Sequence, residues 1–275
     1  MPSEPSHSPI EIVTGRAAPS EGRFEARPLP YIACVSWPRS GHHVLVRALQ
    51  KIFKFHFGYC SFYGPAAEPG SGCCGEFPCK MAGPISMSKQ HDFDLKAELP
   101  NDHPLVVQYR KFSDAVVSEF ELFVRESPGR DDAATFKTFA ERRAKGYALF
   151  IEKWVRSDRE NRVLLDYADL VDDPFTAIRS VLRLYDARVY VPRIESEIAL
   201  LAHQTVSEGK AVVAEKSGIA ELRDVRNFRF YDEELFASLE KLASRTPAEA
   251  KREREERRER RRKRVERRPA RRQSP

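Results

Sequence analysis

Residues 35–49 read VSWPRSGHHVLVRAL, and the fold turns on how this stretch is parsed. The run leading into it, YIACVS at 31–36, is short, apolar and bounded by Pro30 and by the turn at Pro38. That pattern predicts a strand of a parallel sheet buried on both faces. Beyond the turn, Val44, Leu45, Ala48, Leu49 and Ile52 recur at helical spacing, predicting a helix from Gly41 to about Phe53. A strand, a tight glycine turn and a fresh helix gather backbone N–H groups at the positive end of a helix dipole. Such a turn binds an anion, most naturally a phosphate. Arg39 adds a guanidinium that can hold two oxygens at once, and Gly41 lets the main chain come close to a ligand.

The turn is not the triphosphate loop GxxxxGK[ST]. Five residues before Gly41 stands Ser36, and no Lys-Ser or Lys-Thr follows it. The hydroxyl that would hold magnesium is missing, which disfavours a kinase or an ATPase.

Working outward, PLVVQY (104–109) predicts a second strand, followed by a helix from about Ser113 to Val124. Residues 133–156 predict another helix, and RVLLDY (162–167) a third strand. A further helix starts at the Asp172/Asp173 cap with Pro174 in its first turn, and two more fit 192–203 and 232–244. Strands alternating with helices give an α/β fold: three layers, α/β/α, around a mostly parallel central sheet and one strand–phosphate loop–helix motif. The expected organisation is a flexible N-terminal segment (1–28), an α/β domain (29–246) with a Cys/Gly/Pro-rich irregular insert (56–88), and a basic Arg/Glu-rich tail (247–275).

The net charge of +6 over 275 residues hides an asymmetry. Residues 251–275 hold 14 Lys+Arg and 5 Glu, a net of +9, so the rest of the chain carries −3 against the total of +6. The body is mildly acidic, and nucleic acid is not an expected partner. The tail reads either as a solvated helix or arm stitched by Glu–Arg pairs, or as a contact for an anionic surface. No run of 18 apolar residues occurs, so no transmembrane span is expected, and the N-terminus lacks the layout of a secretory signal. A cytoplasmic location follows as the default. Cys34 reads as a small buried side chain, whereas Cys60, Cys73, Cys74 and Cys79 cluster at a spacing open to zinc, disulfides or plain thiols.

Three more stretches complete a pattern. VVQYRKFSDAVVSEFELF carries Arg110, Asp114 and Ser118 at four-residue intervals. KQH places Lys89 and His91 two apart, and YADLVDDP begins at Tyr167. Together with PRSGHH, these resemble the sulfotransferases that use 3′-phosphoadenosine 5′-phosphosulfate (PAPS), whose fold is P-loop-like.

The resemblance covers residues 31 to about 185, with weaker echoes to 245. It implies that Arg39, Ser40 and Gly41, with His42 and His43 beside them, hold the donor's 5′-phosphosulfate. Arg110 and Ser118 would hold the 3′-phosphate, and Tyr167 would lie near the adenine. Lys89-Gln90-His91 is similar to a K-T-H segment in which the histidine is the general base. Three departures stand out. His42 and His43 occupy the place of two loop threonines, Val44 that of an aromatic residue, and the family's later R-K-G segment is not clear. Lys216 with Gly218, or Arg223 or Arg226, are its candidate substitutes.

The implied reaction is in-line transfer of a sulfuryl group from PAPS to a hydroxyl or amine, leaving adenosine 3′,5′-bisphosphate. The transferred group carries less charge than a phosphoryl dianion, so no metal is required. Arg39 and the loop amides would neutralise the leaving phosphate, and Lys89 would contact bridging or sulfuryl oxygens. His91 would take the acceptor's proton, with His42 and His43 as rival bases. From the resemblance, the acceptor is a carbohydrate or glycolipid, or another small molecule. Two other readings remain at this point: a phosphotransferase with an atypical phosphate loop, and a non-enzymatic polyanion-binding protein acting through its tail.

Overall fold

In the first strand, β1 (Ile32–Ser36), all five side chains are buried. Ile32 and Cys34 enter one core, and Ala33 and Val35 enter another on the opposite face. This is the two-sided burial expected of a central parallel strand. β1 lies between β3 (Met87–Gln90) and β4 (Leu105–Tyr109), with β2 (Tyr59–Cys60) and β5 (Arg162–Asp166) at the edges. The order is β2-β3-β1-β4-β5, and every pairing is parallel. The computed structural model describes residues 29–60, 75–80, 85–185, 196, 198–199, 223–246, 248–249, 252 and 259.

Helices cover both faces. On one lie α1 (His42–Phe53), α4 (Tyr167–Asp172) and α5 (Pro174–Leu182), which bury Leu45, Leu49, Leu170, Ile178 and Val181 against Ile32, Cys34 and Val106. On the other lie α2 (Phe112–Glu126), α3 (Ala133–Phe150) and α6 (Glu233–Ala243). There Phe112, Phe120, Phe136, Trp154 and Phe236 pack against Val35, Leu105 and Val107. The result is the expected three-layer α/β/α architecture.

Three local features differ from the sequence reading. Two strands lie where residues 56–88 read as irregular, β2 within that stretch and β3 across its end. Tyr167 opens α4 rather than ending a strand, because the Asp166 carboxylate accepts from the Ala168 N–H at 2.9 Å and caps the helix. The third predicted helix changes hand-hold near its end, passing from α3 into a π turn at Ile151–Val155. Most of the predicted helix at 192–203 lies outside the described residues, although Ile198 is fully buried in the α1/α5 core. The segment 1–28, Cys73, Cys74, Lys216, Gly218 and nearly all of the tail also lie outside them. Among the described residues, no helix is long and apolar enough to cross a membrane.

Candidate active site

The predicted site residues sit at the carboxyl ends of four strands. The loop follows β1, His91 follows β3, Arg110 follows β4 and Tyr167 follows β5. β1 leads to a helix on one face and β4 to helices on the other, so their loops diverge and leave a crevice, the usual ligand position in a parallel sheet.

The loop is shaped from below by β4. The backbone N–H of Trp37 donates to the carbonyl of Gln108 at 2.8 Å, and the Ser40 hydroxyl donates to the Trp37 carbonyl at 2.6 Å. Gly41 has φ 82° and ψ 15°, the left-handed region where a Cβ is strained. A Cβ there would also stand 2.8 Å from the Tyr167 ring and 2.9 Å from Leu170. Glycine is therefore required twice, by conformation and by space. α1 begins with neither a capping side chain nor an acidic residue in its first turn, which leaves the positive end of its dipole uncompensated.

Ser40 and His42 turn inward, in contrast to ligand-facing hydroxyls or imidazoles. The His42 ring, 4% exposed, has Nδ1 2.7 Å from Gln108 Oε1 and Nε2 2.8 Å from the Tyr59 hydroxyl. Gln108 points its Nε2 at the Ser40 carbonyl, which needs a donor, so its Oε1 is the acceptor facing His42. His42 therefore donates from Nδ1 and accepts from Tyr59 at Nε2. Burial holds its pKa well below the ordinary histidine value, with the Lys89 charge adding to the effect. Cys34 completes this layer, its thiol 3.4 Å from His42 Nδ1 and pushed by burial up to about 12. Gln108 was missed in the sequence because a lone glutamine in an apolar strand carries no motif.

Arg39 and Ser118, 79 residues apart, meet directly: Arg39 Nε donates to Ser118 Oγ at 2.9 Å. Arg110, 7% exposed, lies with its guanidinium 4.2 Å from the centre of the Tyr167 ring and 3.7 Å from Asp114. Its Nε is buried and has no hydrogen-bond partner among the described residues, as does the Ser113 hydroxyl. Burial lowers the pKa of Arg110 and raises that of Asp114, the latter opposed by the Arg110 charge. A buried guanidinium with an open donor and one loose carboxylate is suited to an incoming anion. Arg223 reaches the same region, bound to Glu121 through two bonds of 2.6 and 2.8 Å, one turn beyond Ser118 on α2. Arg226 instead pairs with Asp224 in solvent.

Lys89 is 3% exposed on β3, paired in register with Cys34. Burial lowers its pKa to about 8, aided by the Arg39 charge. His91 directs Nδ1 at the Ser36 carbonyl, 2.6 Å away, which fixes the proton on Nδ1 and the lone pair on Nε2. Burial brings its pKa down to about 3, with the Lys89 charge reinforcing the shift, so the ring is neutral near pH 7. His43, on the exposed face of α1, packs edge-on at 6.0 Å from His42. Arg39, Lys89, His91, Arg110, Ser118 and Tyr167 thus gather at the carboxyl end of the sheet, with Ser40 and His42 beneath them, whereas Arg226 lies apart with Asp224. No group of three or more His, Cys, Asp or Glu among the described residues could hold a metal ion.

In sequence the chain stands apart: no protein-family profile matches it, nor does any curated protein. In structure it is similar to mouse sulfotransferase SULT7A1 complexed with PAP. The TM-score is 0.52 and the identity 17%, over 80% of this chain and 84% of that one. The fold is that of the sulfotransferases.

Proposed function

We propose that this chain is a PAPS-dependent sulfotransferase that transfers a sulfuryl group to a hydroxyl or amine of a small-molecule acceptor, a carbohydrate or glycolipid by resemblance. The observation that carries the reading is the 2.9 Å bond from Arg39 to Ser118, which joins the loop and the α2 segment in one crevice beside Arg110. A fold shared with a PAP-bound sulfotransferase supports it. The cytoplasm is the compartment that fits such an enzyme.

In this reading the bound donor supplies the sulfuryl group and a phosphate leaving group. The α1 N-terminus and Arg39 hold the 5′ end and neutralise charge there, while Ser40, His42 and Gln108 keep the loop in shape from beneath. Arg110, with its open Nε, and Ser118 hold the 3′-phosphate, and Tyr167 lines the path between the two ends. Arg223 is the candidate for a third cation at that phosphate. Lys89 faces the transferring oxygens.

His91 takes the acceptor's proton on Nε2, because Nδ1 is committed to Ser36 and the ring is neutral at working pH. His42 does not serve as the base, since both of its nitrogens are used internally. Lys89 and Arg143 are cations that disfavour an imidazolium at His91, and an anion held at the loop neutralises that charge.

Calorimetry with adenosine 3′,5′-bisphosphate tests the proposal. Binding should be seen in chelator, and Arg110→Ala should weaken it about 10- to 100-fold, the value of one charge-assisted hydrogen bond. ATP with magnesium is the discriminating control. Tight binding of magnesium-ATP, with none of the bisphosphate, would show a phosphotransferase instead.

A further inference from the structure

We infer that Asp92 is a positioning residue for His91: its buried carboxylate, gripped by Lys153 and Trp154 at the π turn beyond α3, holds the segment that presents the imidazole to the loop. The inference rests on His91 as the proton acceptor of the proposed reaction.

The Asp92 side chain is wholly buried and fully bonded. One oxygen accepts from Lys153 Nζ and from Trp154 Nε1, both at 2.8 Å, and the other from the Ala97 N–H at 2.7 Å. Lys153 spends its remaining protons on the carbonyls of Leu95 and Ala97, at 2.8 and 2.6 Å. Two consecutive side chains thus converge on one carboxylate oxygen, where a regular helix would point them about 100° apart. The π turn, closed by Arg156 N–H to the Ile151 carbonyl at 2.9 Å, is the local widening at which they do so.

The gripped segment is in turn stiff. Asp92 and Leu95 have φ of 49° and 58°, left-handed values that a residue with a Cβ keeps only when its surroundings impose them. The side chain of Gln90 accepts from the N–H groups of both His91 and Asp92, at 2.9 and 3.2 Å. His91 is therefore pinned at its backbone by Gln90, at its ring by Ser36 and from the opposite layer by the Asp92 latch. Phe93 lies beside it, its ring 5.1 Å from the imidazole and 4.8 Å from the Arg143 guanidinium.

A buried ion pair contributes little net stability compared with apolar packing, but it fixes geometry. Placed one residue from the proposed base, geometry is what the latch supplies.

The test uses the full chain. Trp154→Phe removes one N–H and keeps the ring, and Asp92→Asn weakens every bond of the latch. His91 is followed by NMR titration, together with exchange of amides 91–97. The charges facing the ring, Lys89 on β3, Arg143 on α3 and His43 on α1, are unaltered in Trp154→Phe, whereas Asp92→Asn also removes a carboxylate one residue away and is read by amide exchange alone. Trp154→Phe should move the His91 midpoint up by at least one pH unit, both variants should speed those amides about tenfold, and Asp173→Ala, at the exposed cap of α5, should move neither. An unchanged His91 midpoint in folded Trp154→Phe overturns the inference, and that variant decides if Asp92→Asn does not fold. Bisphosphate affinity, measured in parallel, should stay within twofold of the parent. If the parent itself does not bind the bisphosphate, the donor reading fails and the NMR result still decides the latch.

Discussion

Gly41 concentrates the demands made on single residues. Its left-handed backbone would cost alanine about 1–2 kcal/mol, and the added methyl would overlap the Tyr167 ring. Gly41→Ala should therefore lower the urea midpoint and also remove bisphosphate binding, since Tyr167 must shift to make room. A variant with normal affinity would show that the turn does not shape the ligand site. At this scale, the turn at Gly41 was legible in the sequence because a strand that passes tightly into a helix calls for a residue free to take a left-handed backbone. The orientations of Ser40 and His42 were not. A sequence shows that a hydroxyl or imidazole is present in a turn, but its direction is set by the neighbouring strand, here through Gln108.

Among elements, α2 shows how a site-bearing helix is held from far along the chain. Its N-terminus has no capping side chain of its own, and the Ser113 N–H instead donates at 2.9 Å to Glu240 on α6, 127 residues away. Glu240→Ala should cost about 1 kcal/mol, the usual value of a helix cap, seen as a lower denaturation midpoint. No loss of stability would mean that water replaces the carboxylate at no cost. The apolar strands β1 and β4 and the amphipathic helices α1, α2 and α6 were legible because their periodicity is strong. β3 was hidden: Met-Ser-Lys-Gln lacks an apolar repeat, because its buried Ser88 is spent on the Tyr31 hydroxyl and its buried Lys89 lies beside Cys34 of β1. The π turn was equally invisible, since nothing in Ile-Glu-Lys-Trp-Val distinguishes it from α-helix until Asp92 is placed beside it.

For the molecule as a whole, His42 and His91 couple stability to acid. Both have folded-state pKa values below the ordinary 6.5, by burial first and the Lys89 charge second. As pH falls through 6.5, the unfolded chain takes up protons that the folded chain refuses. Stability is therefore full above that pH and declines below it, with His91 contributing down to about pH 3. The slope is up to about 1.4 kcal/mol per pH unit for each histidine. Urea midpoints at pH 7.5 and 5.5 should differ accordingly, and equal midpoints would contradict the burial of neutral rings. The sequence conveyed the order of the motifs but not their meeting. That meeting needed the sheet to bring four strand ends to one edge, a property of the strand order β2-β3-β1-β4-β5 and not of any local pattern.

One helix, α3, works as a ruler across the back of the crevice. Its Tyr147 hydroxyl donates to the Arg110 carbonyl at 2.7 Å, its Arg143 stacks 5.0 Å from the Trp37 ring, and the turn beyond it seizes Asp92. The gap between the Arg110 end and the Asp92 end is thus counted out in helical residues. Inserting a single residue after Ala148 would swing every later side chain by about 100° and throw the two ends out of step, so surface loops in this protein have latitude to change length where this helix has none.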